Sequence, residues 1–192
     1  TLFGRDSLLT AVMTAGWDGQ LLGDVLRSLA ARQGRTVDVD SEEEPGRILH
    51  ETRLIAESSL FPGAQHRYYG STDATPLFVV GLGEAVRQGM PAAEALPLLA
   101  AADRCLAWID EFGDIDGDGF VESAPRRPGG LVNQGWKDSW NAVVDSAGGI
   151  VAPPYALVEV QAYVYAAFAA RAYLAEALES GDGQAWRDRA EA

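Results

Sequence analysis

The sequence predicts an all-α fold, a double-layered array of helices joined by long irregular loops. Three observations predict it. Apolar residues recur at helical spacing through most of the chain, as at Leu21, Leu22, Val25, Leu26 and Leu29. Residues that start and stop helices stand at the right places, as at Thr75-Pro76 and Gly89. Between residues 155 and 179, Val158, Val160, Tyr163, Val164, Tyr165, Phe168 and Tyr173 point in nearly every direction around a helical axis. That is the pattern of a helix enclosed on most sides, and a mixture of such helices with amphipathic ones suggests enclosed inner helices and half-exposed outer ones.

In chain order, Asp6-Ser7 reads as a cap for a first helix carrying Leu8, Leu9, Val12 and Met13. A second helix runs from about 20 to 33, with Gly34 as its stop. Residues 36–45, with Asp38, Asp40, Glu42, Glu43 and Glu44, read as a solvated acidic loop. Thr75-Pro76 starts a helix that stops at Gly89, and Pro91 starts another that ends near Phe112-Gly113. Pro97 is expected to kink that helix or to mark its true beginning. Residues 114–122 form a turn-rich acidic loop, with a short hairpin as one reading, and 125–130 form another loop. Asp138 or Ser139 can cap a short helix through Val144. The long helix over 155–179 follows, and a last helix begins at about Gln184.

Composition narrows the partners. Lys and Arg number 15 against 28 Asp and Glu, a net charge of −13, so nucleic acid and anionic membrane surfaces are disfavoured while neutral sugars are not. The most apolar stretch, 159–171, is too short to cross a bilayer, which takes about 20 residues. The single cysteine, Cys105, excludes an intrachain disulfide, and with His50 and His66 it has no compact metal-ligand spacing. No leader is visible and the expected location is the cytoplasm, although a chain opening Thr1-Leu2-Phe3 reads as an excised piece.

Four short segments concentrate aromatic, amide and carboxylate side chains at or near predicted helix starts. They are Phe3-Gly4-Arg5-Asp6-Ser7, the run from Tyr68 to Pro76, Asn133-Gln134-Gly135-Trp136-Lys137-Asp138-Ser139 and Glu159-Val160-Gln161-Ala162-Tyr163. Gathered at one end of a helical array they would make a sugar pocket, with rings stacking on pyranose faces and carboxylate, amide and guanidinium groups binding hydroxyls.

These segments, with Ile48-Leu49-His50-Glu51-Thr52-Arg53 and Asp116-Gly117-Asp118-Gly119-Phe120-Val121-Glu122, resemble in this order the amylo-alpha-1,6-glucosidase (glycogen-debranching-like) glycoside hydrolases. The resemblance spans almost the whole chain. It implies that residues 1–192 are part, about half, of an (α/α)6 toroid of helical hairpins. A β-rich N-terminal domain and the remaining hairpins would lie outside. It also implies hydrolysis of α-glucosidic linkages with inversion, in glycogen-like or oligosaccharide substrates, without a cofactor. The general base is expected in a later hairpin, so this piece alone is expected to be inactive. Its uncovered inner helices would then self-associate or contact the remainder of the chain.

Asp138 is the expected general acid. Glycoside hydrolysis needs a carboxylic acid to protonate the leaving oxygen, with its pKa raised by burial or a neighbouring carboxylate. Trp136 is a candidate apolar wall, and the other reading of Asp138 is a helix cap. Arg5, Asp6 and Asp73 are sugar-binding candidates by resemblance; otherwise they are an ion-pairing arginine and two caps. Tyr69, Gln134, Trp136 and Gln161 fit a pocket wall or a satisfied core. Glu51 either orients substrate or pairs with Arg47 or Arg53.

The loop at Asp114, Asp116, Asp118, Phe120 and Glu122 alternates carboxylates and then glycine, like the front half of an EF-hand calcium loop, with Phe120 offering its carbonyl. Pro125 stands where the twelfth-position acid is expected, and Glu122 is its candidate substitute. A structural Ca2+ and a plain Asp-Gly turn both fit this pattern.

Overall fold

The computed structural model describes residues 1–53, 67–137 and 139–192, and over these the chain is mainly helical. The helices are α1 (Gly4–Thr14), α2 (Gly19–Ala30), α3 (Ala74–Arg87), α4 (Ala92–Trp108), α5 (Val158–Ala177) and α6 (Gly183–Glu191). Consecutive helices pack as pairs, α1 on α2, α3 on α4 and α5 on α6. Helices α1, α3 and α5 also form a row, in which α3 touches both neighbours and packs most extensively on α5.

This row holds the core. Leu8 and Ala11 of α1, Phe78, Val79 and Leu82 of α3, and Val160, Ala167 and Leu174 of α5 are almost fully buried. Leu22, Leu26 and Leu29 of α2 and Ala102, Cys105 and Leu106 of α4 close it from behind. Each large side chain here contributes about 1.5–3 kcal/mol by leaving water. Helices α3 and α5 come so close that a Cβ on Gly83 would lie 2.9 Å from the Ala170 Cβ.

The helix ends follow local chemistry, with several departures from the sequence reading. Asp18 and Asp182 cap α2 and α6 by accepting from the N–H groups two and three residues on. Gly89 follows α3 at φ +97°, the stop the sequence predicts. Helix α1 starts at Gly4, so Asp6 and Ser7 lie in its first turn and cap nothing. Helix α3 starts before Thr75-Pro76, because the Thr75 hydroxyl accepts from the Ile48 N–H instead of capping. Pro97 sits inside α4 without ending it, and the helix widens into a π-turn over Ile109–Gly113.

Short strands supply the remaining order. Strands β1 (Leu2–Phe3), β2 (Glu51–Thr52) and β3 (Arg67–Tyr68) form an antiparallel sheet in which Glu51 lies between Phe3 and Tyr68. Strand β4 (Glu122–Ser123) pairs with β5 (Tyr155–Ala156). Two expectations are corrected here. The strand after the acidic loop pairs with a distant segment and does not fold back as a local hairpin. That pairing also holds Tyr155 and Ala156 extended, so the long helix begins at Val158.

The short helix expected through Val144 is also corrected. Among the described residues 139–142 make a single turn, and Val144 then bridges Ile150 across a loop held by the Asp145 carboxylate. Helix α5 is not enclosed on most sides, since Val158 is 80% exposed and Tyr165 58%. No helix is long and apolar enough to cross a membrane, among the described residues.

Candidate functional site

The starts of α1, α3 and α5 meet at one end of the row. Arg5, in the first turn of α1, donates from Nη1 to the Asp73 carboxylate at 3.0 Å. Asp73 immediately precedes α3, is fully buried and makes no capping bond; its other oxygen accepts from the Ser71 hydroxyl at 2.7 Å. Breaking this buried pair from one side would cost about 3–5 kcal/mol. The segment at 133–136 crosses the same end. Thr72 donates from its N–H to the Gln134 carbonyl at 3.0 Å, tying the segment to the start of α3. A Cβ on Gly135 would lie 2.5 Å from Leu157 and 3.8 Å from the Glu159 carboxylate, so this segment also rests against the start of α5.

Tyr163, one turn after Glu159 on α5, faces the same charges. Burial raises its phenol above the ordinary value; the charges of Asp73 and Glu159 add to the rise and Arg5 opposes it. Neither Glu159 nor Tyr163 has a hydrogen bond or ion pair among the described residues.

The residues singled out from sequence fall into distinct groups. Arg5 and Asp73 meet at the helix starts, and the Gln134 backbone joins them through Thr72. Asp6 is exposed and pairs with Arg5 at 3.3 Å. Trp136 is 56% exposed, with the Lys137 ammonium 5.3 Å from its ring centre. Tyr69 is fully buried and donates its hydroxyl to the Arg32 carbonyl at 2.8 Å, so its ring is core. Gln161 holds the Val121 backbone from both ends of its amide, accepting from N–H at 2.9 Å and donating to C=O at 2.8 Å. Glu51 pairs with Arg53 at 2.9 Å. Asp138 and His66 lie outside the described residues.

A buried polar network stands behind the site, and the sequence reading missed it. The loop at 36–45, expected to be solvated, buries Ser41, Glu42 and Glu44. Glu42, at φ +56°, accepts from the Tyr68 hydroxyl at 3.1 Å and the Gln134 amide at 2.7 Å. Glu44 accepts from the Trp108 indole at 2.7 Å and pairs with Arg126 at 2.9 Å and Arg47 at 3.3 Å. Arg47, 1% exposed, also donates to the Gln134 amide oxygen at 2.6 Å. The available signal was an arginine directly after an acidic run, Glu42-Glu43-Glu44-Pro45-Gly46-Arg47. The Gln134 side chain therefore spends both amide ends within the fold. The Tyr68 phenol is pushed up to about 12, first by burial, so it remains a donor to Glu42.

The acidic loop folds as a tight cradle. Ligand atoms of Asp114, Asp116, Asp118 and Glu122 all lie within 4.8 Å of one another. That spread equals about twice a Ca–O distance of 2.3–2.6 Å, so one ion fits among them. Asp114 accepts from the N–H groups of Gly117, Asp118 and Gly119, and Glu122 accepts from Ile115 at 2.6 Å. Burial raises the Glu122 carboxyl above its usual value; the Ile115 N–H opposes the rise, and the charges of Asp116, Asp114 and Asp118 add to it. The Phe120 side chain is half exposed, and its N–H donates to Asp118 at 2.9 Å.

A separate groove of about 320 Å3 lies at the other end of α3, beside Gln20, Arg27, Gln88 and Met90. Comparison with known proteins finds no matching family model and no matching curated protein.

Proposed function

We propose that this chain is part of the catalytic domain of a glycoside hydrolase. It would cleave α-glucosidic linkages, α-1,6 linkages of glycogen-like or oligosaccharide substrates foremost, with inversion. The reading rests on the ordered motif resemblance, and one structural observation supports it most. Three helix starts and the Gln134-Gly135-Trp136 segment converge, with the Arg5–Asp73 pair beneath them. Three packed helix pairs in a row also agree with an arc of an (α/α)6 toroid.

In this reading Asp138, two residues beyond exposed Trp136, gives its proton to the glycosidic oxygen as the bond breaks. A second carboxylate activates water on the opposite face of the sugar, about 6.5–9.5 Å away. By the resemblance that base belongs to a later hairpin. Arg5 and Asp73 hold the floor rigid, because neither can turn away without leaving a buried charge unpaired. The cradle at residues 114–122 is proposed to take a structural Ca2+, which would neutralise four crowded carboxylates.

A non-catalytic carbohydrate-binding or scaffolding domain is the second reading. One observation favours it: Tyr69, Gln134 and Gln161 spend their polar groups inside the fold. The test is to incubate the full-length protein with isomaltose and panose and follow glucose by proton NMR. β-Glucose appearing first is expected. α-Glucose appearing first would contradict inversion, and saturable binding without release would favour the second reading.

A further inference from the structure

The residues that sequence motifs nominate as sugar contacts are largely consumed by the fold. Tyr69 bonds to Arg32, Gln134 to Arg47 and Glu42, Gln161 to Val121, and Asp73 to Arg5 and Ser71. A ligand cannot recruit them without leaving buried groups unpaired, which would cost affinity. Two polar side chains at the same helix starts are not consumed. Glu159 and Tyr163 are partly exposed, lie one turn apart on α5, and make no hydrogen bond or ion pair among the described residues. At this i, i+4 spacing both side chains share one helix face. The Glu159 carboxylate approaches the backbone that leads into exposed Trp136, and Tyr163 lies within the field of Asp73 and Arg5.

We propose that Glu159 and Tyr163 are the groups of this face that grip a glucosyl unit, and that they determine its recognition. Glu159 accepts hydrogen bonds from adjacent sugar hydroxyls, Tyr163 donates its phenolic hydroxyl, and Trp136 offers the ring on which the pyranose stacks. The two roles are complementary: an ionised carboxylate can only accept, and a phenol held in its neutral form donates. The surroundings suit this division: burial first, then the charges of Asp73 and Glu159, favour the neutral phenol of Tyr163, and those charges disfavour anionic ligands. The inference rests on the sugar-site reading but not on hydrolysis, so it holds for a carbohydrate-binding domain as well.

The test is calorimetry on the full-length protein with maltose and isomaltose as probes, comparing wild type, Glu159→Gln, Tyr163→Phe and Gln161→Ala. Hydrogen bonds to a charged acceptor carry most of the discrimination, so Glu159→Gln is expected to weaken binding about tenfold or more. Tyr163→Phe is expected to weaken it several-fold. Both variants should melt with the wild type, since neither side chain has a hydrogen bond or ion pair among the described residues. Gln161→Ala should instead lower the melting midpoint, because it frees the Val121 backbone. Wild-type affinity in both Glu159→Gln and Tyr163→Phe would overturn the inference and leave the sugar site standing. A large drop in their melting midpoints, with affinity lost only in proportion to unfolding, would also overturn it by making the residues structural. If the wild type binds neither sugar, the sugar-site reading fails and the inference falls with it.

Discussion

Replacing Gln134 by Ala would leave the Arg47 guanidinium and the Glu42 carboxylate each short of a buried partner. The expected cost is on the order of 3 kcal/mol, since two buried charged groups each lose a hydrogen bond. For a chain of this length that corresponds to a fall of roughly 6–12 °C in melting midpoint, measurable by calorimetry. Glu51→Gln, which removes a partly exposed ion pair with Arg53, should cost under about 1 kcal/mol. Equal effects of the two substitutions would contradict the assignment of the network as buried. At this scale the sequence was legible in which polar segments meet at the helix starts. Arg5 and Asp73 pair directly, and the Gln134 backbone bonds to the residue before Asp73. What was not legible is the division of labour among them. A glutamine between two polar segments reads equally well as a ligand contact or as a structural bond. Only the position of Arg47 and of Glu42, with its left-handed backbone, decides it. The acidic run at 42–44 misled for the same reason. Charge density suggests solvation until the donors brought from Trp108 and Tyr68 and the ion pair with Arg126 are known.

Helix periodicity and the stop at Gly89 were readable because they depend on neighbours in sequence. The errors fall where tertiary contacts override local preference. Tyr155 and Ala156 have helical company downstream, but pairing with Glu122 and Ser123 keeps them extended. Thr75 has the chemistry of a cap, but its hydroxyl serves Ile48. The acidic loop is the element whose behaviour is most exposed to test. Four carboxylates within 4.8 Å repel one another, and Glu122 is buried among them. A bound Ca2+ would reverse that repulsion and stabilise the folded state by mass action, by about 2.7 kcal/mol at a hundredfold excess over Kd. The melting midpoint is therefore expected to rise with millimolar calcium and fall with chelator, and Asp116→Ala should lose the response. Superimposable melting curves in calcium and chelator would remove the metal from the account. In that case the loop stands on its Asx turns alone, in which Asp114 already accepts three backbone N–H groups.

At the scale of the molecule, three helix pairs among the described residues bury a core in which α3 is enclosed and α5 is covered on only part of its circumference. Val158, Tyr165 and half-exposed positions such as Tyr173 leave an apolar strip on α5, and Trp17 and Trp140 are largely exposed elsewhere. Large apolar patches seldom persist on soluble monomers. Light scattering of the 192-residue chain at micromolar concentration is therefore expected to show self-association. A monodisperse monomer that binds no apolar dye would contradict this. The site itself sits at the end of the row where α1, α3 and α5 begin, so its geometry depends on the same packing that fixes the core. The claim that this end performs acid catalysis is tested most directly by Asp138→Asn in the full-length protein, assayed on isomaltose and on an activated aryl α-glucoside. Loss of about 10²–10⁴ in rate on isomaltose is expected, the usual worth of general acid catalysis. The loss on the activated glucoside should be much smaller, because a good leaving group needs little protonation. Near wild-type turnover of isomaltose, or equal losses on both substrates with a lowered melting midpoint, would contradict the account and remove Asp138 from the mechanism.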